Sequence, residues 1–457
     1  MRTPSVLAKA ASVLALALAL GSCHSDNENW RADAAQPDAL HYAMQGVTDI
    51  IVHDIFSPPQ AARIYSYAAL AAYESARHGD STYRTLSGQL NDLGELPLPD
   101  ADADYSYDYA AVVALLDVGE ELTFSADKAA VIRDSLRRRF EAVRMPGDVL
   151  ARSEAFGHEV ANAVIAYSKG DNYAQSRTFP KYSVNDEPGR WRPTPPDYMD
   201  GVEPHWGKMR PFVLDSASQC KPVPPPPYDM TPGSDFYEDV MEVYSALETE
   251  TEERKAIAAF WDCNPYVSHH QGHVMFATKK ISPGGHWMGI AKTVAQKEDD
   301  STLEAAETYT KVAVALYDGF VSCWDEKYRS NLVRPETVIN ELIDPDWLPL
   351  LQTPPFPEYT SGHSVISRAA ATAMTDLYGA DYAYTDSVEV AYGLPARRYE
   401  SFFAASDEAA DSRLYGGIHY GPAIYEGVKQ GEQVGRIVVE RLRFRDGGAE
   451  DGVSYVK

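Results

Sequence analysis

The chain has 457 residues, 44% of them hydrophobic, and 67 Asp plus Glu against 41 Lys plus Arg leave a formal charge of −26. That length supports a sizeable core and two or three domain-sized units. So acidic a surface repels nucleic acid, which excludes general nucleic-acid binding, and any cluster of Lys, Arg and His must be held for a local reason.

The first residues read as an export signal. Met1-Arg2 and Lys9 are basic, Ala10 to Leu20 is apolar, and Leu20-Gly21-Ser22-Cys23 closes the stretch. The apolar run is too short to cross a bilayer and suits the centre of a signal peptide over residues 1–22. The closing quartet resembles the lipobox of bacterial lipoproteins. It implies lipidation of Cys23 and a place in the cell envelope, periplasmic or on the outer-membrane surface. The polar run from His24 to Asn29 opens a tether expected over residues 23–45, and it resembles signals that sort some lipoproteins to the cell surface. No later segment is apolar for long enough to span a bilayer, so membrane contact is expected through the lipid alone. Cys220, Cys263 and Cys323 permit one disulfide in an oxidising compartment without naming a pair.

Residues 46–178 read as an N-terminal helical half. Ser57-Pro58-Pro59 opens a helix with Ile64, Tyr67, Ala68 and Ala71 on one face. Ile132, Leu136, Phe140 and Val143 repeat at helical spacing after Ser125, as do Phe156, Val160, Ala163 and Tyr167 after Pro146-Gly147. Prolines crowd residues 179–233, which predicts extended loop, either a seam between two halves or a lid wrapped over the second. Helical signals resume over 234–457. Phe236, Val240 and Val243 follow Ser234, and Tyr309, Val312, Leu316 and Phe320 follow the capping-box pair Ser301 and Glu304. Strand-like alternation is scarce, and the expected class is all-α, a helical bundle. His269, His270 and His273 include an i, i+4 pair that could face a metal on a helix, with His286 close behind in sequence. No Cys or carboxylate is spaced to complete that set, and a polar loop is the preferred reading.

Three short segments carry charge where a core would not need it. In Trp324-Asp325-Glu326-Lys327 and Arg334-Pro335, a helix running as far as Arg334 would set both cations on nearly one face, about 10 Å apart in rise. Pro335 then ends it. In Phe356-Pro357-Glu358-Tyr359-Thr360-Ser361-Gly362-His363, a helical pattern begins directly afterwards. Ser361 and Gly362 therefore sit at a helix N-terminus, where free N–H groups favour an anion and glycine lets it come close. His363 is placed there as an acid or base. In Ser412-Arg413-Leu414-Tyr415-Gly416-Gly417-Ile418-His419, the glycine pair permits a sharp turn. A helix with small residues at Gly431 and Gly435 follows.

Taken in order, Lys-x6-Arg-Pro, Ser-Gly-His and Ser-Arg-x5-His resemble the three-part signature shared by vanadium-dependent haloperoxidases and type 2 phosphatidic-acid phosphatases. The resemblance implies a helical bundle with a tetrahedral oxyanion, vanadate or phosphate, held between helix ends. Lys327, Arg334, Ser361, the Gly362 N–H and Arg413 would bind its equatorial oxygens. His363 would be the acid–base, and His419 the axial ligand of vanadate or the nucleophile toward a phosphoryl group. Trp324 and Phe356 resemble the aromatic pair on the halide side of fungal haloperoxidases, although they also suit core packing.

Two departures stand out. Thr360 replaces a usual proline, which alters the loop and removes no ligand. Ala423 stands where many members carry an Asp that orients the last histidine, leaving Glu426 or another neighbour to substitute. The leading expectation is a vanadate-dependent haloperoxidase that oxidises halide with peroxide. The alternatives are an acid phosphatase working through a phosphohistidine without a cofactor, and a lipid-anchored phosphate-binding protein without turnover.

Overall fold

In a computed structural model of the protein, residues 27–271 and 273–445 are described. The expected signal peptide and Cys23 lie outside them. The architecture is helical, as expected, with four short strands among the described residues. Helix α1 (Trp30–Ala34) and α2 (Pro37–Asp54) come first. Their residues Trp30, Leu40, Ala43 and Met44 are buried. The expected tether over 23–45 is therefore corrected: from Trp30 onward it is helical and packs one face into the core, because its apolar residues recur at helical spacing.

Next come α3 (Pro58–Ala76), α4 (Tyr107–Glu121), α5 (Ala126–Glu141), α6 (Gly147–Ser168) and the single turn α7 (Tyr173–Ser176). Of these, α3, α5 and α6 begin at the predicted Ser57, Ser125 and Pro146-Gly147. A long extended segment follows, interrupted by one 3-10 turn at Trp206–Lys208. It is anchored rather than loose: the Asp318 carboxylate accepts from the N–H groups of Phe212, Val213 and Leu214 at 2.7, 2.8 and 3.0 Å.

Then come α8 (Asp235–Glu248), α9 (Glu252–Phe260), the hairpin β1 (Val267–Gln271) and β2 (Val274–Thr278), and α10 (Pro283–Lys297). His269 and His270 lie on β1, paired with Phe276 and Met275. The i, i+4 helical pair with His273 therefore does not form, and His286, buried on α10, belongs to a different cluster.

Helix α11 (Thr302–Ser330) runs 29 residues through the centre and is buried along almost its whole length. Ser301 accepts from the Glu304 N–H, and Glu304 accepts from the Ser301 N–H, so the predicted capping box forms. After it come α12 (Pro335–Leu342), α13 (Gly362–Tyr378), β3 (Tyr384–Asp386), β4 (Arg397–Tyr399), α14 (Phe402–Tyr415) and α15 (Gly421–Arg441).

Helices α13 and α15 approach through a glycine seam. A Cβ on Gly431 would lie 2.1 Å from the Val365 carbonyl oxygen, so only glycine lets the two backbones touch there. One apolar core joins residues from Trp30 through Phe444, so the two helical halves in sequence share a single interior. The described cysteines Cys220, Cys263 and Cys323 are buried and free, so no permitted disulfide forms among them. No helix among the described residues is long and apolar enough to cross a membrane.

Candidate active site

The three charged segments meet at one buried place. Lys327 occupies the last turn of α11. That helix does not continue to Arg334 as expected. Asn331 takes a left-handed conformation (φ 50°) and donates its N–H to the Lys327 carbonyl, closing the helix after Ser330. The chain then runs extended, and Arg334 sits at the N-cap of α12 with Pro335 in its first position. The two cations are thus brought together by a turn between helices, not by one helical face.

Each cation is braced by backbone carbonyls. Lys327 Nζ donates to the Pro357 and Glu358 carbonyls at 2.9 and 3.0 Å. Arg334 Nε donates to Phe356 O at 3.0 Å, and its Nη1 to Ile418 O at 2.8 Å and His419 Nε2 at 3.1 Å. Arg413, on the last turn of α14, donates from Nη2 to Trp261 O at 2.7 Å. Ser361 is the N-cap of α13, as predicted. Its hydroxyl accepts from the Ser364 N–H, and the Gly362 N–H lies in the first turn, where no intrahelical carbonyl faces it. A Cβ on Gly362 would meet only the Trp324 ring at 3.6 Å, so the space beside that glycine is free for a ligand.

The partner of His419 is a residue the sequence reading quoted but gave no role. Glu358 Oε1 lies 2.7 Å from His419 Nδ1 and also accepts from the Tyr420 N–H at 3.0 Å. The carboxylate fixes the tautomer: Nδ1 carries the proton, and the Nε2 lone pair faces Arg334 and the cavity. Glu358 takes the place left vacant at Ala423. Glu426 does not, since it pairs with Lys429 on the outside of α15 at 2.6 Å. A lone acid within the proline-rich approach to Ser361 was the available signal, but its target lies 61 residues away in sequence.

Electrostatics follow from burial. Desolvation pushes Lys327 down to about 7, with the neighbouring Arg334 guanidinium adding to the effect. Arg334 and Arg413 are lowered to about 10, again chiefly by burial. His363 and His419 are held well below the usual imidazole range by burial and then by the surrounding cations, so both are neutral. Burial raises the Glu358 carboxyl to about 7, against the pull of Arg334 and Lys327.

His363 Nε2 is buried without a partner. Arg334 Nη2 is likewise buried without one. A donor without an acceptor, among cations crowded enough to weaken one another, is the signature of a seat for a small, multiply charged oxyanion.

A cavity of about 360 Å³ opens onto this seat, lined by Gly362, His363, Arg413 and His419 on one side. Trp324 and Phe356 also line it, with ring centroids 4.9 Å apart. They serve packing as well, since Lys327 Nζ lies 5.0 Å from the Phe356 centroid. The loop over 179–233 contributes Met199, Val202 and Glu203 to the wall, so it closes part of the cavity.

Comparison with known proteins follows the same lines. Residues 307–445 match the family model described as the VCPO second helical-bundle domain. A search of curated proteins by sequence gives no match. Among solved structures, a bacterial vanadium-dependent iodoperoxidase is 50% identical, with a TM-score of 0.85, covering 90% of this chain and 97% of that one. A bacterial vanadium-dependent chloroperoxidase in its holo form shares the fold at 18% identity and a TM-score of 0.65, over 85% of this chain and 93% of that one. With every residue of the signature gathered at one seat and half of the sequence shared along nearly the whole length of the iodoperoxidase, the chain belongs to the vanadium-dependent haloperoxidase family.

Proposed function

We propose that the protein oxidises halide with hydrogen peroxide in a vanadate-dependent reaction, and that iodide is its halide. The observation that carries this reading is the His419 Nε2 lone pair, aimed by Glu358 into a ring of cations. It occurs on a chain half identical to an iodoperoxidase. Vanadate, when bound, supplies a Lewis-acid centre that activates peroxide toward a halide ion.

The protein's part is binding, orientation and proton handling. Lys327, Arg334, Arg413, Ser361 and the Gly362 N–H would hold the oxyanion oxygens, and His419 Nε2 would bind its central atom. His363, neutral and with Nε2 free, would accept a proton from peroxide and return it to the oxygen that leaves as water. The net change balances: peroxide, iodide and one proton give hypoiodous acid and water. Cavity walls such as Phe56, Phe320, Trp324 and Phe356 favour iodide, the largest and most weakly hydrated of these halides, because stripping its water costs least.

A phosphatase reading draws support from the same dyad, since a carboxylate-oriented imidazole is what a phosphohistidine intermediate requires. One preparation separates the two. Peroxide- and vanadate-dependent triiodide formation, lost in His419→Ala, is the expected result. Turnover of an aryl phosphate with no halide oxidation at any vanadate concentration would overturn it, as would tight phosphate binding with neither activity.

We also infer lipid anchoring at Cys23 in the cell envelope, supported by the quartet Leu20-Gly21-Ser22-Cys23. The Asn27 N–H already donates to the Arg144 carbonyl at 2.9 Å. An anchored chain would therefore sit within about 15 Å of the lipid. Detergent-phase partitioning of the full chain, abolished in Cys23→Ala, tests this, and partitioning unaffected by that change would refute it.

A further inference from the structure

Beside the active site lies a second cluster with no part in the reaction above. Cys263 follows α9, His286 is on α10, and Glu389 is in the 3-10 turn after β3; all three are buried. His286 Nδ1 lies 3.3 Å from Cys263 Sγ and 3.1 Å from Glu389 Oε1, and Sγ lies 3.8 Å from that same oxygen. The other ring nitrogen, Nε2, lies 2.7 Å from Asp386 Oδ2.

We propose that Cys263, His286 and Glu389 bind one divalent transition-metal ion of the zinc class, with Asp386 orienting the histidine. Thiolate, imidazole and carboxylate are the donor types zinc takes, at about 2.0–2.3 Å. A tetrahedral site with those bond lengths spaces its donor atoms about 3.3–3.6 Å apart, so each observed spacing lies within a few tenths of an ångström of the requirement. Asp386 completes the carboxylate–histidine–metal arrangement that fixes ring orientation and keeps Nδ1 free to coordinate. Charge permits the exchange: a dication with a thiolate carries the same net +1 beside the Asp386 and Glu389 carboxylates as one imidazolium with a neutral thiol.

The ion would join three stretches distant in sequence. It would also fix the segment just after Trp261, whose ring stacks on His286 at 4.6 Å and whose carbonyl holds Arg413. Its role is thus to position the oxyanion seat from behind.

Metal analysis of the full chain, expressed in zinc-supplemented medium and dialysed, should give about one zinc per chain. Cys263→Ser and His286→Gln variants that still melt cooperatively should hold under about a tenth of that. Cobalt-substituted wild type should show a thiolate-to-cobalt charge-transfer band in the near ultraviolet, a readout that needs no variant to fold. Zinc-free wild type, zinc retained in both variants, or a cobalt form lacking that band would each overturn the proposal. His419→Ala should keep its zinc while losing vanadate-dependent activity, so the two sites succeed or fail separately.

Discussion

Glu358 and Lys327 show how single residues set the chemistry. The Glu358 carboxylate decides which His419 nitrogen carries the proton, and partners of metal-ligating histidines typically contribute about 10–100-fold in affinity or activity. Glu358→Gln keeps an acceptor but loses the charge, so vanadate affinity and iodide turnover should fall toward the lower end of that range. Glu358→Ala should fall further, with circular dichroism unchanged. Full activity in Glu358→Ala would show that His419 is oriented by something else.

Lys327, held at about 7 without an anion, must be protonated to grip one. From pH 7 upward, each unit should cost about tenfold in affinity for a tetrahedral anion such as sulfate, which keeps its charge over this range. Glu358, raised to about 7, adds to the same trend, because its ionisation puts a negative charge beside the seat. Calorimetric titration in two buffers of different ionisation enthalpy should show proton uptake above pH 7, reduced in Lys327→Met to the part that Glu358 supplies. Stability runs the other way: the unfolded chain holds the Lys327 proton to higher pH than the folded one, so this residue's contribution rises between about pH 7 and 10.5.

Helix starts were the most legible elements. Ser234, Ser301 and Ser361 all cap the helices assigned to them, because a cap is a local exchange between one side chain and the next turn. Helix ends were less so. Lys327 to Arg334 read as one helix, yet Asn331 closes it early, and its left-handed conformation is one of several an asparagine accepts. The hairpin at Val267–Thr278 was missed because its His-rich first strand carries no alternation.

The α13–α15 seam separates packing from function at two glycines. Gly431→Ala drives a methyl into the Val365 carbonyl, and pushing the helices apart should cost about 1–3 kcal/mol, read as a lower Tm. Gly362→Ala meets only ordinary contact with Trp324, so its Tm should stay near wild type. Its methyl would occupy the anion's space, and vanadate affinity should drop at least tenfold. Equal losses of Tm in the two variants would contradict this division.

Across the whole molecule, the long proline-rich segment is held to the central helix by Asp318 and helps to wall the cavity. Asp318→Ala would strand three N–H groups and should cost about 3 kcal/mol, measured as a lower urea midpoint. Burial raises the Asp318 carboxyl to about 6 from 3.8. The folded chain therefore holds this proton to higher pH than the unfolded one, and stability should decline from about pH 4 to 6. In Asp318→Asn that slope should be absent.

The amino-acid order alone determined that the chain is helical, where about half of its described helices begin, and which cations and histidines to seek at one place. Such features depend on period, caps and motif spacing, which act within a few residues of chain. Only the tertiary structure decided that Glu358 serves His419 and that Arg334 returns after a turn to meet Lys327. It also drew residues expected as a tether into the core and placed His286 with Cys263 instead of the hairpin histidines. Those pairings join residues far apart in sequence, and their free energy comes from burial in a common interior, which no local pattern encodes.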